Sequence, residues 1–296
     1  MASPTPLTVM VPLGGIGSRF QKEGYASPKP FINVLGKPML MWVLDSLRLE
    51  PCDELVVVYD PKFLPTKYFE ATTAKYPRMR LVELPGPTRG AAETVLAGLR
   101  GLPDEAVRSR PVMLVDGDSF YGEDIVGKYR EHCATNNGVF YFKDAQPEPM
   151  YSYIQFDDGD MLIREVKEKV KISDNANSGC YCFRDGDELM EQCQALLDAG
   201  DTQLSQDRVG EYYTSGVIAA MIELGRPFRA IEIRRDQFHV LGTPAQVEEF
   251  CRRRRDHGKE EDRPPQQQQG RRRVCFQLEG TLVAAAAAGG GGDGRG

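Results

Sequence analysis

The chain has 296 residues, which is enough for one large α/β domain or two small ones with a sizeable core. Its net charge is −6, and because residues 252–296 hold ten basic and six acidic side chains (+4), residues 1–251 carry −10. A body of that sign does not bind nucleic acid by bulk electrostatics. Any anion that it binds must be held by a few placed cations.

The apolar and cysteine patterns exclude other classes. No run approaches the roughly 18 apolar residues of a membrane span, so we expect no membrane partner. The first six residues carry no cation, which argues against a secretory signal. The seven cysteines are scattered, and the close pair Cys180 and Cys182 suits neither a zinc knuckle nor a redox motif. We therefore expect reduced thiols and a cytoplasmic location.

Strands and helices alternate along the first half of the chain. Apolar, β-rich runs predict buried strands at residues 7–12, 54–59, 80–84 and 112–116. Helical spacing lies between them, at residues 39–49, 91–100 and 123–135. The alternation predicts an α/β fold with a Rossmann-like, mostly parallel sheet sandwiched by helices.

From about residue 138 the pattern changes to a smaller β-rich region. Strands are predicted at residues 139–143, 152–157 and 161–168, with a hairpin turn over residues 157–160. Helical patterns return at residues 188–199, 213–224 and 244–255. We expect the folded domain to span residues 1–251.

After residue 251 the composition changes from that of a folded domain to polar and low-complexity sequence. Residues 252–273 are charged and Gln-rich, as in a linker, and residues 284–296 are an Ala/Gly run of low complexity. Residues 274–283 resemble the first strand of haloacid-dehalogenase phosphatases, although Gln277 and Glu279 stand where that family has its two aspartates. Because glutamine cannot form an acyl-phosphate, we interpret residues 274–296 as a truncated phosphatase-like remnant with a low-complexity tail, or as a chance apolar stretch.

The most informative motif directly follows the first predicted strand. It runs Leu13, Gly14, Gly15, Ile16, Gly17, Ser18, Arg19. Glycines allow backbone N–H groups to approach a phosphate closely. A Walker A loop would end in Gly-Lys-Ser/Thr, and a dinucleotide fingerprint would have a glycine where Phe20 stands, so neither fits.

Two cations accompany this loop. Arg19 ends it, and Lys29 follows between Pro28 and Pro30, whose rings restrict the backbone around the lysine. A guanidinium and a held ammonium beside a glycine loop suit a triphosphate. The alternative is a tight turn with two solvated cations.

Two carboxylates, Asp116 and Asp118, close the strand predicted at residues 112–116. Ligands gather at the carboxyl ends of strands in open α/β sheets. Carboxylates there suit Mg²⁺, which takes oxygen ligands and keeps positions for phosphates. The alternative is an Asp-capped turn without a metal.

Three motifs in order resemble the sugar-nucleotide pyrophosphorylase (nucleotidyltransferase) family. They are the loop at residues 14–19, Pro-Lys-Pro at residues 28–30 and Gly-Lys-Pro at residues 36–38. Gly24 and Tyr25 ahead of Pro-Lys-Pro are similar to the capsule-polysaccharide type subgroup. The resemblance covers about residues 7–250 and implies a nucleotidyltransferase domain of the nucleotide-diphospho-sugar transferase type over residues 1–251.

The resemblance also implies roles for individual residues. The catalytic residues are Arg19 and Lys29. The nucleotide-binding residues are Leu13, Gly14, Gly15, Gly17, Ser18, Gly90, Ala91 and Ala92. The acceptor-binding residues are Glu168, Lys169, Gly179 and Glu211. The metal ligands for Mg²⁺ are Asp118 and, as a helper, Asp116. Many members carry a second metal-binding aspartate just before the Gly-Thr-Pro turn, but here Val240 and Leu241 precede Gly242, and we expect His239 to be half-buried.

The implied reaction transfers a nucleoside monophosphate from a nucleoside triphosphate to a sugar 1-phosphate or similar phosphorylated acceptor, with release of pyrophosphate. The product is an activated precursor of the NDP-sugar type. Two alternatives stay open: a phosphocholine-type cytidylyltransferase of the same fold, and a catalytically weak nucleotide-binding regulatory homologue. The implied partners are small molecules rather than nucleic acid, and an oligomer is possible.

Overall fold

The computed structural model describes residues 3–63, 67–204 and 210–261. By its contacts the chain divides into two units, and the elements that build the site lie in the first, Met1–Arg254. Residues 262–296, which include the predicted phosphatase-like remnant and most of the predicted linker, lie outside the described residues. No helix of the described residues is long and apolar enough to cross a membrane.

The strands, in chain order, are β1 (Thr8–Leu13), β2 (Asn33–Val34), β3 (Lys37–Pro38), β4 (Glu54–Tyr59), β5 (Arg80–Glu83), β6 (Val112–Val115), β7 (Ser119–Tyr121), β8 (Asn137–Lys143), β9 (Ser152–Phe156), β10 (Ile163–Glu168), β11 (Asn175–Phe183), β12 (Gln203–Leu204), β13 (Gly210–Glu211), β14 (Phe228–Glu232) and β15 (Phe238–Val240). The α-helices are α1 (Ser18–Lys22), α2 (Met39–Ser46), α3 (Lys67–Lys75), α4 (Ala91–Arg100), α5 (Glu105–Arg108), α6 (Ile125–Arg130), α7 (Gly186–Ala199), α8 (Thr214–Glu223) and α9 (Pro244–Glu261).

Nine strands form the central sheet. β5, β4, β1 and β6 are parallel neighbours, β11 runs antiparallel to β6, and both β8 and β9 pair antiparallel with β11. β14 is parallel to β8, and β10 is antiparallel to β9. Seven of the nine strands, all except β10 and β11, therefore point the same way. The predicted α/β fold with a mostly parallel sheet is confirmed.

Helices cover both faces of the sheet, as predicted. Side chains alternate along β1, so that Val9 and Val11 belong to one apolar core and Met10 to the other. Apolar side chains of α2, α3 and α6 complete the first core, and those of α4, α7 and α8 complete the second. A third cluster joins Phe20 of α1 and Phe120 of β7 to Phe250 of α9.

Several boundaries differ from the predictions. The helix predicted at residues 39–49 ends at Ser46, and the one predicted at residues 123–135 is only Ile125–Arg130, with the Asp124 side chain capping its first turn. α9 continues beyond residue 255 to Glu261. Before that point, Arg252 and Arg253 each donate to the carboxylate of Glu249 within the helix. β14 was not predicted, because Arg229 and Glu232 interrupt its apolar pattern.

Candidate active site

The glycine loop connects β1 to α1 and is shaped by close approaches. Gly17 precedes α1 with φ 69° and ψ 34°, a left-handed conformation that favours glycine. A Cβ atom on Gly17 would lie 2.9 Å from Cβ of Lys29, and one on Gly14 would lie 2.2 Å from Oγ1 of Thr94. A Cβ on Gly15 would meet nothing within 4 Å. The loop therefore packs against Lys29 and α4 and leaves the backbone at Gly15 accessible.

Lys29 begins a short 3-10 turn, Lys29–Phe31, after the extended Pro28. Pro30 and Phe31 are buried and anchor this turn. The ammonium of Lys29 donates to Oδ2 of Asp118 at 2.5 Å. The structure thus brings a predicted catalytic cation and a predicted metal ligand into direct contact.

A small cavity of about 160 Å³ lies between the loop and the strand ends. Its lining residues are Pro12, Leu13, Gly15, Lys29, Pro30, Asp116, Gly117 and Asp118. A larger cleft of about 270 Å³ lies beside it, and Asp116 and Asp118 line both. The two carboxylates therefore stand where the two cavities meet.

The carboxylate pair is electrostatically asymmetric. Burial, together with the charge of Asp118, raises the pKa of Asp116 to about 8, although the ammonium of Lys29 opposes this. Burial also disfavours the charged form of Asp118, but Lys29 outweighs it and, with Ser119 and Arg19, holds the pKa of Asp118 below its usual value. An added divalent cation would relieve the repulsion that Asp116 experiences. Carboxylate oxygens are also ligands that Mg²⁺ prefers, so the pair fits this ion.

The segment predicted to contact the nucleobase begins α4. Gly90 has φ 146°, and a Cβ on it would lie 2.5 Å from the carbonyl oxygen of Tyr212. The N–H of Ala92 donates to that same oxygen at 2.9 Å, and Ala91 lines the larger cleft together with Arg19. Gly90 is therefore required for a close approach between the start of α4 and the segment before α8.

Of the predicted acceptor residues, Glu168 and Gly179 line the larger cleft, and Lys169 contacts Tyr213, which also lines it. Glu168, at the end of β10, accepts a hydrogen bond from Oγ of Ser215 at 2.9 Å, and burial raises the pKa of its carboxyl. Nζ of Lys169 lies 3.7 Å from Oε1 of Glu168 and donates to the hydroxyl of Tyr213 at 2.9 Å. Burial and the neighbouring Glu211 raise the pKa of the Tyr213 hydroxyl, so Glu211 lies near the same tyrosine.

Gly179 belongs to a bulge in β11. It has φ 80°, and a Cβ on it would lie 2.4 Å from Oδ2 of Asp116. Its carbonyl accepts the N–H of Asp116 at 2.8 Å, while the β11–β8 register shifts between Asn177 and Tyr181. The bulge re-aims side chains beside the carboxylate pair.

Asn177 and Ser178 were not among the predicted site residues. Both line the larger cleft, and their exposures are only 3% and 2%. Oδ1 of Asn177 and Oγ of Ser178 have no hydrogen-bond partner among the described residues. Two consecutive polar residues just before a glycine, within an otherwise buried strand, were the available signal.

β15 closes the cleft beside Asp118. The N–H of Leu241 donates to the carbonyl of Asp118 at 2.7 Å, and a Cβ on Gly242 would lie 3.0 Å from Oδ2 of Asp118. Val240 lines the cleft, while His239 is half-buried, as predicted, and stacks on Phe120 with ring centroids 4.7 Å apart. Among the described residues, no group of three or more His, Cys, Asp or Glu side chains could hold a metal. A cation here would take its further ligands from water or from substrate phosphates.

Comparisons with known proteins agree with this architecture. Residues 9–170, more than half of the chain, match the MobA-like NTP transferase domain. The chain is 26% identical over 251 residues to the bifunctional protein GlmU of Gluconacetobacter diazotrophicus, an alignment that covers 82% of this chain and 50% of that protein. It is 33% identical over 113 residues to 2-C-methyl-D-erythritol 4-phosphate cytidylyltransferase of Azoarcus sp., covering 36% of this chain and 43% of that protein. The chain spans about half the length of the curated relatives that it matches.

Two solved structures share the fold. The nucleoside-diphosphate-sugar pyrophosphorylase of Vibrio cholerae superposes with a TM-score of 0.68 at 19% identity, covering 82% of this chain and 99% of that one. The inositol-1-phosphate CTP transferase of T. maritima gives a TM-score of 0.62 at 12% identity, covering 85% and 97%. Since the family match includes the glycine loop, Lys29 and both carboxylates, the chain belongs to the nucleotidyltransferase family of MobA-like NTP transferase domains.

Proposed function

We propose that this protein transfers a nucleoside monophosphate from a nucleoside triphosphate to a phosphorylated acceptor and releases pyrophosphate. One observation carries the proposal: Asp116 and Asp118 line both the small cavity beside the glycine loop and the larger cleft. A triphosphate in the first and an acceptor phosphate in the second would meet at this pair. In the reaction, an acceptor phosphate oxygen bonds to the α-phosphorus while the bond to the leaving pyrophosphate breaks.

The described side chains would work by positioning and charge neutralisation. Such chemistry needs no covalent nucleophile, because the phosphates only have to be aligned and their charge balanced. Lys29 on the small cavity and Arg19 on the larger cleft supply positive charge, and the accessible backbone at Gly15 allows a close approach of phosphate oxygens. Mg²⁺ held by Asp118 and Asp116 would neutralise further charge on the phosphates when bound.

A hydroxylated acceptor such as a sugar 1-phosphate fits the cleft better than phosphocholine. Nδ2 of Asn177 donates to Oγ of Ser152 at 2.7 Å, which orients the amide and leaves its buried Oδ1 without a donor from any described residue. Leaving such an acceptor unpaired costs about 1–3 kcal/mol, so a bound ligand should supply a donor. A sugar hydroxyl can donate, whereas a quaternary ammonium has no proton to give.

The proposal extends to the biological product. The similarity of Gly24 and Tyr25 to the capsule-polysaccharide type favours an NDP-sugar-type precursor for polysaccharide synthesis. A regulatory homologue with weak turnover is the second candidate. It is favoured by Val240, an apolar residue on the cleft wall where many members have a metal-binding aspartate.

The test is pyrophosphate release with Mg²⁺, using the four common nucleoside triphosphates against a panel of sugar 1-phosphates and phosphocholine. We expect release that requires one triphosphate and one hydroxylated acceptor together. If phosphocholine is the only acceptor that supports release, the proposed choice of a hydroxylated acceptor is overturned. No release with any pair, while a triphosphate still raises the Tm, would favour the regulatory candidate.

A further inference from the structure

The cleft contains one serine that differs from the others. Of the four serines that line it, Ser119 donates to Asp118, Ser215 donates to Glu168, and Ser152 accepts from Asn177. Ser178 is the fourth, and its Oγ has no hydrogen-bond partner among the described residues although the residue is only 2% exposed. Buried hydroxyls in folded proteins almost always have a partner, so the Ser178 hydroxyl is available to a bound ligand.

The carbonyls of Ser178 and Gly179 both accept hydrogen bonds, whereas the Ser178 hydroxyl has no partner among the described residues. The carbonyl of Ser178 accepts the hydroxyl of Tyr121 at 3.0 Å. The next carbonyl, of Gly179, accepts the N–H of Asp116 at 2.8 Å. Ser178 is therefore held in place within the bulge of β11, one residue from the contact with the carboxylate pair.

The charges around Ser178 restrict what can bind it. The neighbouring Gly179 lies against Asp116. Glu168 is a second carboxylate that lines the same cleft. An anionic oxygen needs a cation between itself and these carboxylates, whereas a neutral hydroxyl can approach them without one. A serine hydroxyl can both donate to and accept from such a group.

We propose that Ser178 is a specificity-determining residue that hydrogen-bonds a hydroxyl group of the acceptor, close to the acceptor's phosphate. This inference rests on the proposed nucleotidyltransferase function and narrows the acceptor to a phosphorylated polyol or sugar. Ser178 adds a contact separate from that of Asn177, because its hydroxyl can donate to the ligand and Oδ1 of Asn177 can only accept. Together, Ser178 and Asn177 would hydrogen-bond two positions of a hydroxylated ring or chain.

The test compares Ser178→Ala with the wild-type protein. For the best hydroxylated acceptor we expect kcat/KM to fall about tenfold, with the KM of the triphosphate unchanged. The Tm of the free protein should not fall, because the lost hydroxyl has no partner in the part of the chain that the structure describes. Ser46→Ala is the matched control: Ser46 Oγ bonds the carbonyl of Val43 on α2, outside the cleft, so acceptor kinetics should not change.

Deoxy analogues of the acceptor identify the contact. The analogue that lacks the hydroxyl bound by Ser178 should be used about equally by wild-type protein and Ser178→Ala, while the other analogues should still distinguish them. Unchanged acceptor kinetics in Ser178→Ala, or an equal loss with every analogue, would overturn the proposal. A clear fall in the Tm of the free variant would also overturn it, since that would indicate a structural role.

A binding measurement separates this proposal from the proposed function. Sugar 1-phosphates should raise the Tm of the wild-type protein more than that of Ser178→Ala, whether or not turnover occurs. If no pyrophosphate is released but the Tm shifts of the two proteins differ in this way, the proposed function is overturned. Ser178 is then still supported as a ligand contact. Equal Tm shifts for both proteins, or no shift for either, would overturn the role of Ser178.

Discussion

Nζ of Lys29 lies 2.5 Å from Oδ2 of Asp118, although the two residues are 89 positions apart in the chain. Lys29 comes from the turn before β2, and Asp118 follows β6, which neighbours β1 in the sheet. The pair joins the cation expected to contact the triphosphate to the carboxylate expected to hold the metal. Lys29 is thus the counter-ion of Asp118.

Replacing Lys29 tests the first half of this relationship. Lys29→Ala should lower the rate of pyrophosphate release by two or more orders of magnitude, because a fixed charge on the phosphates is lost. Circular dichroism should show an unchanged fold. The matched control is Lys37→Ala, which removes a 2.6 Å ion pair with Asp45 outside the cleft and should leave turnover near normal. Near-normal activity in Lys29→Ala, and likewise in Arg19→Ala, would contradict the assignment of the loop.

Replacing Asp118 tests the second half. Asp118→Asn keeps the shape but removes a charged oxygen ligand, so activity and its dependence on Mg²⁺ should disappear together. Binding of Mn²⁺ in the presence of a triphosphate, followed by electron paramagnetic resonance, should weaken at least tenfold. An unchanged metal titration in this variant would place the cation on other residues.

The glycine loop offers a matched pair of substitutions. Gly17→Ala forces a Cβ into a left-handed conformation and to within 2.9 Å of Lys29, so it should destabilise the protein by about 1–2 kcal/mol. Gly15→Ala meets nothing within 4 Å and should leave the Tm unchanged. Because Gly15 lines the small cavity, Gly15→Ala should still raise the KM of the triphosphate. A normal KM in Gly15→Ala would show that phosphates do not approach the backbone there.

His239 should make stability depend on pH. Burial, with nearby arginines, lowers its pKa to about 4 from an ordinary value of 6.5. Between these values the unfolded chain binds more protons, so the free energy of unfolding falls as the pH drops from 6.5 to 4. His239→Phe keeps the stacking on Phe120 and removes this effect, which is on the order of 3 kcal/mol at the acid end. Urea unfolding at pH 7.5 and pH 4.5 measures it; parallel losses in both proteins would argue against a buried neutral histidine.

Local patterns predicted much of the fold. α4 occupies residues 91–100 and β4 residues 54–59, as expected, because their apolar periodicity is unambiguous and each has clear turn residues at its ends. Elements with mixed polarity were missed or misplaced. β14 gains its place by pairing with β8, a neighbour about 90 residues away in the chain, which no local window contains.

The sequence by itself determined the class of the sheet, the family motifs and which residue types are available for phosphate and metal chemistry. Only the tertiary structure decided that Lys29 pairs with Asp118, that Lys169 donates to Tyr213, and that the Ser178 hydroxyl is buried without a partner among the described residues. The physical reason is that side-chain periodicity is a local property, whereas these contacts depend on strand order and on one bulge in β11. The sequence shows a serine in the same way whether its hydroxyl bonds a protein carboxylate or a ligand.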